Sequence, residues 1–167
     1  MAALDAASQP DDTPAFWKFL VVVDETPECD NAIRFAALRA AKTNGGVSLL
    51  YIIDPPDFQH WMSVEEVMRE EAREEGQLLL DKAAQRIRNE AGIEPTTMIR
   101  EGKAINEILD VIKDDPGIRI LVLAAGTGKE GPGPLVSSFS GQMLGALPIA
   151  MTIVPGHLPT DQIDQIT

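Results

Sequence analysis

The chain has 167 residues, 44% of them hydrophobic, enough for one domain that buries a core without disulfide or metal staples. Fourteen basic residues against 26 acidic ones leave a formal net charge of −12, which repels polyanions and excludes nucleic acid as the main partner. The single cysteine rules out an intramolecular disulfide, two distant histidines offer no zinc-type ligand set, and no apolar run reaches the roughly 18–20 residues of a membrane helix.

Residues 1–15 are rich in Ala, Asp, Ser and Pro without apolar periodicity and read as a mobile N-terminal leader. They carry neither the basic nor the apolar region of a secretory signal, so the expected setting is the cytoplasm. Phe19 to Val23 is an uninterrupted apolar, β-branched run, the pattern of a strand buried on both faces of a parallel sheet, and Asp24 stands at its carboxyl end. Thr26, Pro27 and Glu28 supply a hydroxyl cap, a first-turn proline and an acid. They predict a helix from Thr26 to about Asn44 that buries Ile33, Ala36, Ala37, Ala40 and Ala41 and stops at Gly45-Gly46. Cys29 falls in the first turn of that helix, where a dipole lowers a thiol pKa; the simpler reading is an ordinary small side chain.

Val47 to Ile53 is the second predicted strand, ended by Asp54-Pro55-Pro56. Ser63 and Glu66 form a capping box for a long helix in which Ala72, Gly76, Leu80, Ala83, Ile87 and Ala91 recur every three or four residues, with Gly92 as its left-handed terminator. Its first turns are acidic, with Arg69 and Arg73 interspersed, as on a solvated face. Trp61 and Met62 just before it serve either as a lid or as a hydrophobic anchor. Pro95 to Arg100 is a third strand, Glu101-Gly102-Lys103 a turn, and Ile105, Ile108, Leu109 and Ile112 one face of a helix halted by Asp114-Asp115-Pro116-Gly117. The fourth strand is Ile118 to Ala124. A glycine-rich loop follows, then a short helix around Ser138 to Gly145, a last strand from Pro148 to Val154 and a polar tail over residues 156–167.

Strands alternating with helices at this spacing predict an α/β fold with a five-stranded parallel sheet, order 3-2-1-4-5, over residues 16–155. In such a sheet ligands sit beyond the strand ends where the order reverses, here between the strands ending at Asp24 and Ala124. The loop from Ala124 to Gly141 falls on that edge. Glycine-rich backbone there brings bare N–H groups up to a phosphate, so Gly126, Gly128, Gly131 and Gly133 mark points of close approach, Lys129 a charge, and Ser137, Ser138 and Ser140 hydroxyl donors at a helix start. Each has a plainer reading: Asp24 as a local cap, the serines as helix caps, Lys129 as a solvated lysine.

Phe19-Leu-Val-Val-Val-Asp24, the helix from Thr26, Leu49-Leu-Tyr-Ile-Ile-Asp54, the Glu101-Gly-Lys-Ala turn and Pro148-Ile-Ala-Met-Thr-Ile-Val-Pro155 stand in the order found in the universal stress protein family, which the chain resembles from Phe16 to Pro155. The resemblance implies a flavodoxin-like sandwich, akin to the adenine nucleotide alpha hydrolases, and a homodimer paired through the final strand. It also implies, in many members, ATP or a related adenine nucleotide in the crevice, accompanied by Mg²⁺. By the same resemblance Asp24 approaches the ribose or base, and backbone at Ile52 or Ile53 faces the adenine.

The family's phosphate signature, G-x2-G-x9-G followed by Ser or Thr, is altered. Gly128, Gly131 and Gly141 keep the spacing, but Gln142 replaces the hydroxyl residue and Gly141 precedes Pro148 too closely. Alignment from the flanking strands instead puts Ala124 and Thr127 at the first two glycines, and Pro132 and Pro134 remove two backbone donors. Two functions follow from this reading. One is a dimeric stress protein with a regulatory adenine nucleotide and at most slow hydrolysis, since no general base or metal-binding pair is evident. The other is a dimeric protein-interaction module without nucleotide.

Overall fold

A computed structural model describes residues 16–55 and 62–167; the leader (1–15) and Trp61 lie outside the described residues. The sheet has five parallel strands in the order β3-β2-β1-β4-β5, with β1 Lys18–Val22, β2 Gly46–Ile53, β3 Thr96–Glu101, β4 Ile118–Ala125 and β5 Ala150–Pro155. β1 pairs with β2 from Lys18 opposite Gly46 and with β4 from Phe19 opposite Ile120. The predicted architecture and strand order are those observed.

Alternation along β1 builds two cores. Phe19, Val21 and Val23 face α1 (Cys29–Thr43) and α2 (Met62–Ala91), whereas Leu20 joins Leu50, Leu121 and the apolar faces of α3 (Ala104–Asp114) and α4 (Pro134–Phe139). A strand buried on both sides has no polar face, which is why its sequence reads as one unbroken apolar run. α1 meets the sheet through Ala32, Ala36, Ala37 and Ala40, all fully buried; small side chains let the helix backbone approach closely. Ala41 is exposed, and Ala32 takes the inward place expected of it. α2 buries Gly76, Leu80, Ala83, Ala84 and Ile87. It ends before Gly92, whose φ of +66° is the left-handed conformation predicted for it. Among the described residues no helix is long and apolar enough to cross a membrane.

The structure differs from the sequence reading at several boundaries: Ser63 and Glu66, read as a capping box, lie inside α2, and β5 begins at Ala150 and not Pro148. α1 begins at Cys29 after an uncapped Glu28, because the Thr26 hydroxyl turns back to Asp24. The last short helix starts at Pro134, not near Ser138, with Gly133 as its cap residue and Pro134 in the first turn. A separate 3₁₀ turn covers Leu144–Ala146.

The residues read as a polar tail contain α5, Thr160–Ile166, laid against α1. Ile163 is fully buried. The Asn31 amide lies 3.1–3.2 Å from the carbonyls of Pro155, Gly156 and Leu158. Arg34 makes a two-pronged contact with Asp164, 2.7 and 2.8 Å.

Candidate functional site

Strand order reverses between β1 and β4, and the chain leaves both strands at the same edge of the sheet. A crevice of about 730 Å³ opens there. Its floor is apolar, from Val22 and Ile52; Asp24 and Glu25 stand on one side, and Lys103 with Asn106 at the head of α3 on another. Pro134, Leu135 and Ser138 of α4 close it.

Asp24 meets both readings given to it. It lines the crevice, and its Oδ1 accepts the Thr26 backbone N–H at 2.8 Å and the Thr26 hydroxyl, an Asx turn that holds the β1–α1 connection. Ile52 is on the floor. Ile53, one residue on, turns to the opposite face of the sheet and lies in a small recess with Met68 and Ala72 of α2; its carbonyl accepts the Gly102 N–H at 3.0 Å. Ser138 is half-buried at the crevice wall, whereas Ser137 is exposed on the turn of α4 outside it. Because α4 starts at Pro134, both serines sit inside the helix and not at its start.

Gly126, Gly128 and Lys129 line a different hollow of about 570 Å³, shared with Glu28, Glu130 and Gly156. A small pocket of about 130 Å³, bordered also by Pro132, shares Asp24 and Pro134 with the crevice and Glu28 with the hollow. The loop residues are thus on the predicted edge of the sheet but displaced from the main crevice by the fold of the loop itself.

The structure adds residues that the sequence reading did not assign to the site. Lys103 belongs to a turn noted only as a family segment, yet its place at the end of β3 brings it to the crevice. Tyr51 lines the mouth, and its phenol is pushed up from its ordinary value, chiefly by burial and then by Glu75, Glu25 and Asp24. A hydrogen bond between the Glu25 and Glu75 carboxyls, together with their repulsion, raises the Glu75 carboxyl. A period-two strand pattern that exposes one Tyr at its carboxyl end was the available signal.

A second groove, about 480 Å³, runs between α1 and α2. Arg86 on its wall is already paired with Asp30 and Glu90. Cys29 lies beneath it, 2% exposed, with Sγ 3.8 Å from the Val22 carbonyl. Burial pushes this thiol up to about 12 from 9.0, against a lowering contact with the Asp24 backbone. The helix start does not activate it. Because the folded pKa lies above the unfolded one, Cys29 stabilises the fold below pH 9 and loses that contribution as pH rises toward 12. Between pH 9 and 10 the loss from this group is about 1 kcal/mol. Urea melts of wild type and Cys29→Ala across that interval are expected to differ in slope by this amount; equal slopes would contradict the burial argument.

The fold is a doubly wound α/β sheet with a crevice at its switch point, the place where sheets of this architecture hold ligands. The description Universal stress protein family matches residues 16–155, and the chain belongs to that family. The universal stress protein UspA from Lactobacillus plantarum is similar at 20% identity and a TM-score of 0.68, over 83% of this chain and 97% of that one. A universal stress protein family member from Burkholderia pseudomallei gives 18%, 0.66, 85% and 98%. A family protein from Arabidopsis thaliana with AMP bound gives 16%, 0.55, 89% and 99%. A sequence comparison with curated proteins finds no match.

Proposed function

We propose that this universal stress protein binds an adenine nucleotide in the β1–β4 crevice as a regulatory ligand, turning it over slowly at most, and that it works in the cytoplasm as a homodimer joined through β5. The observation that carries the reading is the crevice itself. It has an apolar floor at Val22 and Ile52 wide enough for a flat base, a carboxylate at Asp24 able to accept from ribose hydroxyls, and hydrogen-bonding groups at Asn106 and Ser138 around the rim. AMP in the similar Arabidopsis protein supports the choice of ligand class.

For the dimer, the support is an edge. β5 pairs with β4 on one side, and among the described residues its other side has no strand partner. Ile153 remains 37% exposed on it. Such an edge is a ready template for a second chain.

Native mass spectrometry with AMP added reads both statements in one spectrum. The expected species is two chains carrying up to two AMP masses, with less adduct in Asp24→Ala. A spectrum of single chains removes the dimer, and an absence of adduct that calorimetry also finds removes the nucleotide.

A further inference from the structure

α2 is longer than the core beneath it requires. Its first buried residue is Gly76, so the stretch from Met62 to Glu75, about four turns, leaves the packing to the half that follows. Ion pairs tie this stretch down along one side: Arg69 reaches Glu101, the last residue of β3, at 2.7 Å and Glu65 at 3.4 Å, and Arg73 reaches Glu101 at 3.4 Å. Pointing away from Gly76 and Ala83 is a stripe of Val64, Val67, Glu71, Glu74 and Leu78, whose members alternate three and four residues apart. Its apolar members are open to water, with Val64 47%, Val67 57% and Leu78 71% exposed. That spacing of apolar side chains is the seam of a helix that packs against another helix.

We propose that this outward face of α2 docks a basic amphipathic helix of another protein. The inference is independent of what fills the crevice, because none of the five stripe residues lines it.

Charge identifies the partner. Both arginines of the stretch are turned to Glu65 and Glu101. Glu66, Glu70, Glu71 and Glu74 have no ion-pair partner among the described residues, and Glu75 lies against a second carboxylate, Glu25. The apolar stripe is therefore interrupted by two glutamates and edged by others. A second copy of this chain laid on it sets the same acidic helix against itself, and like charges at such a seam oppose pairing. Residues 1–15 contain three aspartates and no lysine or arginine, so they do not complement it either. A helix with apolar residues at the same spacing and Lys or Arg opposite Glu71 and Glu74 matches both features at once. Exposed ion pairs contribute little individually; covering the valines and Leu78 supplies the affinity, and the glutamates select the partner.

The test uses the full chain and a fluorescein-labelled peptide of about 15 residues, long enough to span Val64 to Leu78, with Leu at spacings of three and four and Lys on the flanks. A scrambled peptide keeps the composition and loses the face. In fluorescence anisotropy the patterned peptide is expected to bind at least ~tenfold more tightly than the scrambled one, and Val67→Ser/Leu78→Ser and Glu71→Lys/Glu74→Lys are each expected to weaken it by ~tenfold. All four positions are exposed, so both variants are expected to keep the wild-type urea midpoint; a lowered midpoint would place these side chains within the fold's own packing and overturn the docking face. Equal binding of the two peptides reduces the contact to general attraction by an acidic protein and overturns the proposal. Unchanged affinity in the serine variant removes the apolar seam, and in the lysine variant the basic partner. Light scattering addresses the remaining occupant: a mass that falls in Val67→Ser/Leu78→Ser assigns the face to another copy of this chain and overturns the partner proposed.

Discussion

Phe139→Ala is expected to lower the unfolding free energy by about 3–5 kcal/mol, the range for removing a buried aromatic ring and leaving its cavity. Phe139 is completely buried among the side chains that join Leu20, Leu121 and Ile108 into one core layer. It is also the last residue of α4, a helix of six residues, too short to hold its shape without tertiary contacts. From within the helix, buried Val136 and half-buried Leu135 share the anchoring. Loss of the ring thus acts twice, as a cavity under the sheet and as a release of the crevice wall formed by Pro134, Leu135 and Ser138. Urea unfolding measures the first effect and nucleotide titration the second. Phe139→Leu, which keeps most of the volume, is expected to cost less than half as much. A loss below about 1 kcal/mol in the alanine variant would mean that the site collapses around the gap, contrary to the packing seen.

The sheet was legible because its signal is local. Phe19 to Val23 and Leu121 to Leu123 are apolar runs packed on both faces, so composition alone marks them, and the spacing of helices between strands leaves few other topologies. Long-range contacts escaped the same reading. Residues 160–166 show one buried apolar side chain, Ile163, in a polar string, and what holds them is supplied from α1 more than 120 residues away, Arg34 gripping Asp164 and Asn31 the turn that leads into the helix. No periodicity in seven residues reports such partners. Pro134 was read as a lost donor when its larger effect is to start α4.

At the site, the edge of the sheet was predictable and its partition was not. Asp24 and Ile52 share a crevice because they stand at the carboxyl ends of neighbouring strands, β1 and β2. Gly126, Gly128 and Lys129 sit apart because the loop bonds to itself between Gly126 and Pro132, a closure that glycine spacing does not encode. Ile52 and Ile53 illustrate the sharpest limit. Adjacent residues on a strand face opposite ways, so an assignment that leaves one position open leaves the side of the sheet open.

Gly76→Ala is expected to destabilise the protein by about 1–3 kcal/mol, although helix propensity alone predicts a gain of about 1 kcal/mol for the same change. The deciding fact is Tyr51. A Cβ on Gly76 falls 2.5 Å from the Tyr51 Cε1 and closer still to Cδ1, well inside van der Waals contact, so the ring and the helix cannot both keep their places. α2 is fixed on either side by Ala72, Leu80 and Ala83; the ring, half-buried at the crevice mouth, is the part free to yield. Moving it exposes apolar surface and loosens the contact between α2 and β2. In a Tyr51→Ala background the obstacle is gone, and Gly76→Ala is expected to become neutral or stabilising by up to about 1 kcal/mol, a change of sign that a double-mutant cycle isolates. Tyr51 is the only tyrosine of the chain, so ultraviolet titration reads its phenol directly. Burial holds that phenol above its usual value in the wild type; displaced toward water by Gly76→Ala, it is expected to titrate at lower pH. A stabilised Gly76→Ala with an unmoved tyrosine titration would show that the helix, not the ring, gives way.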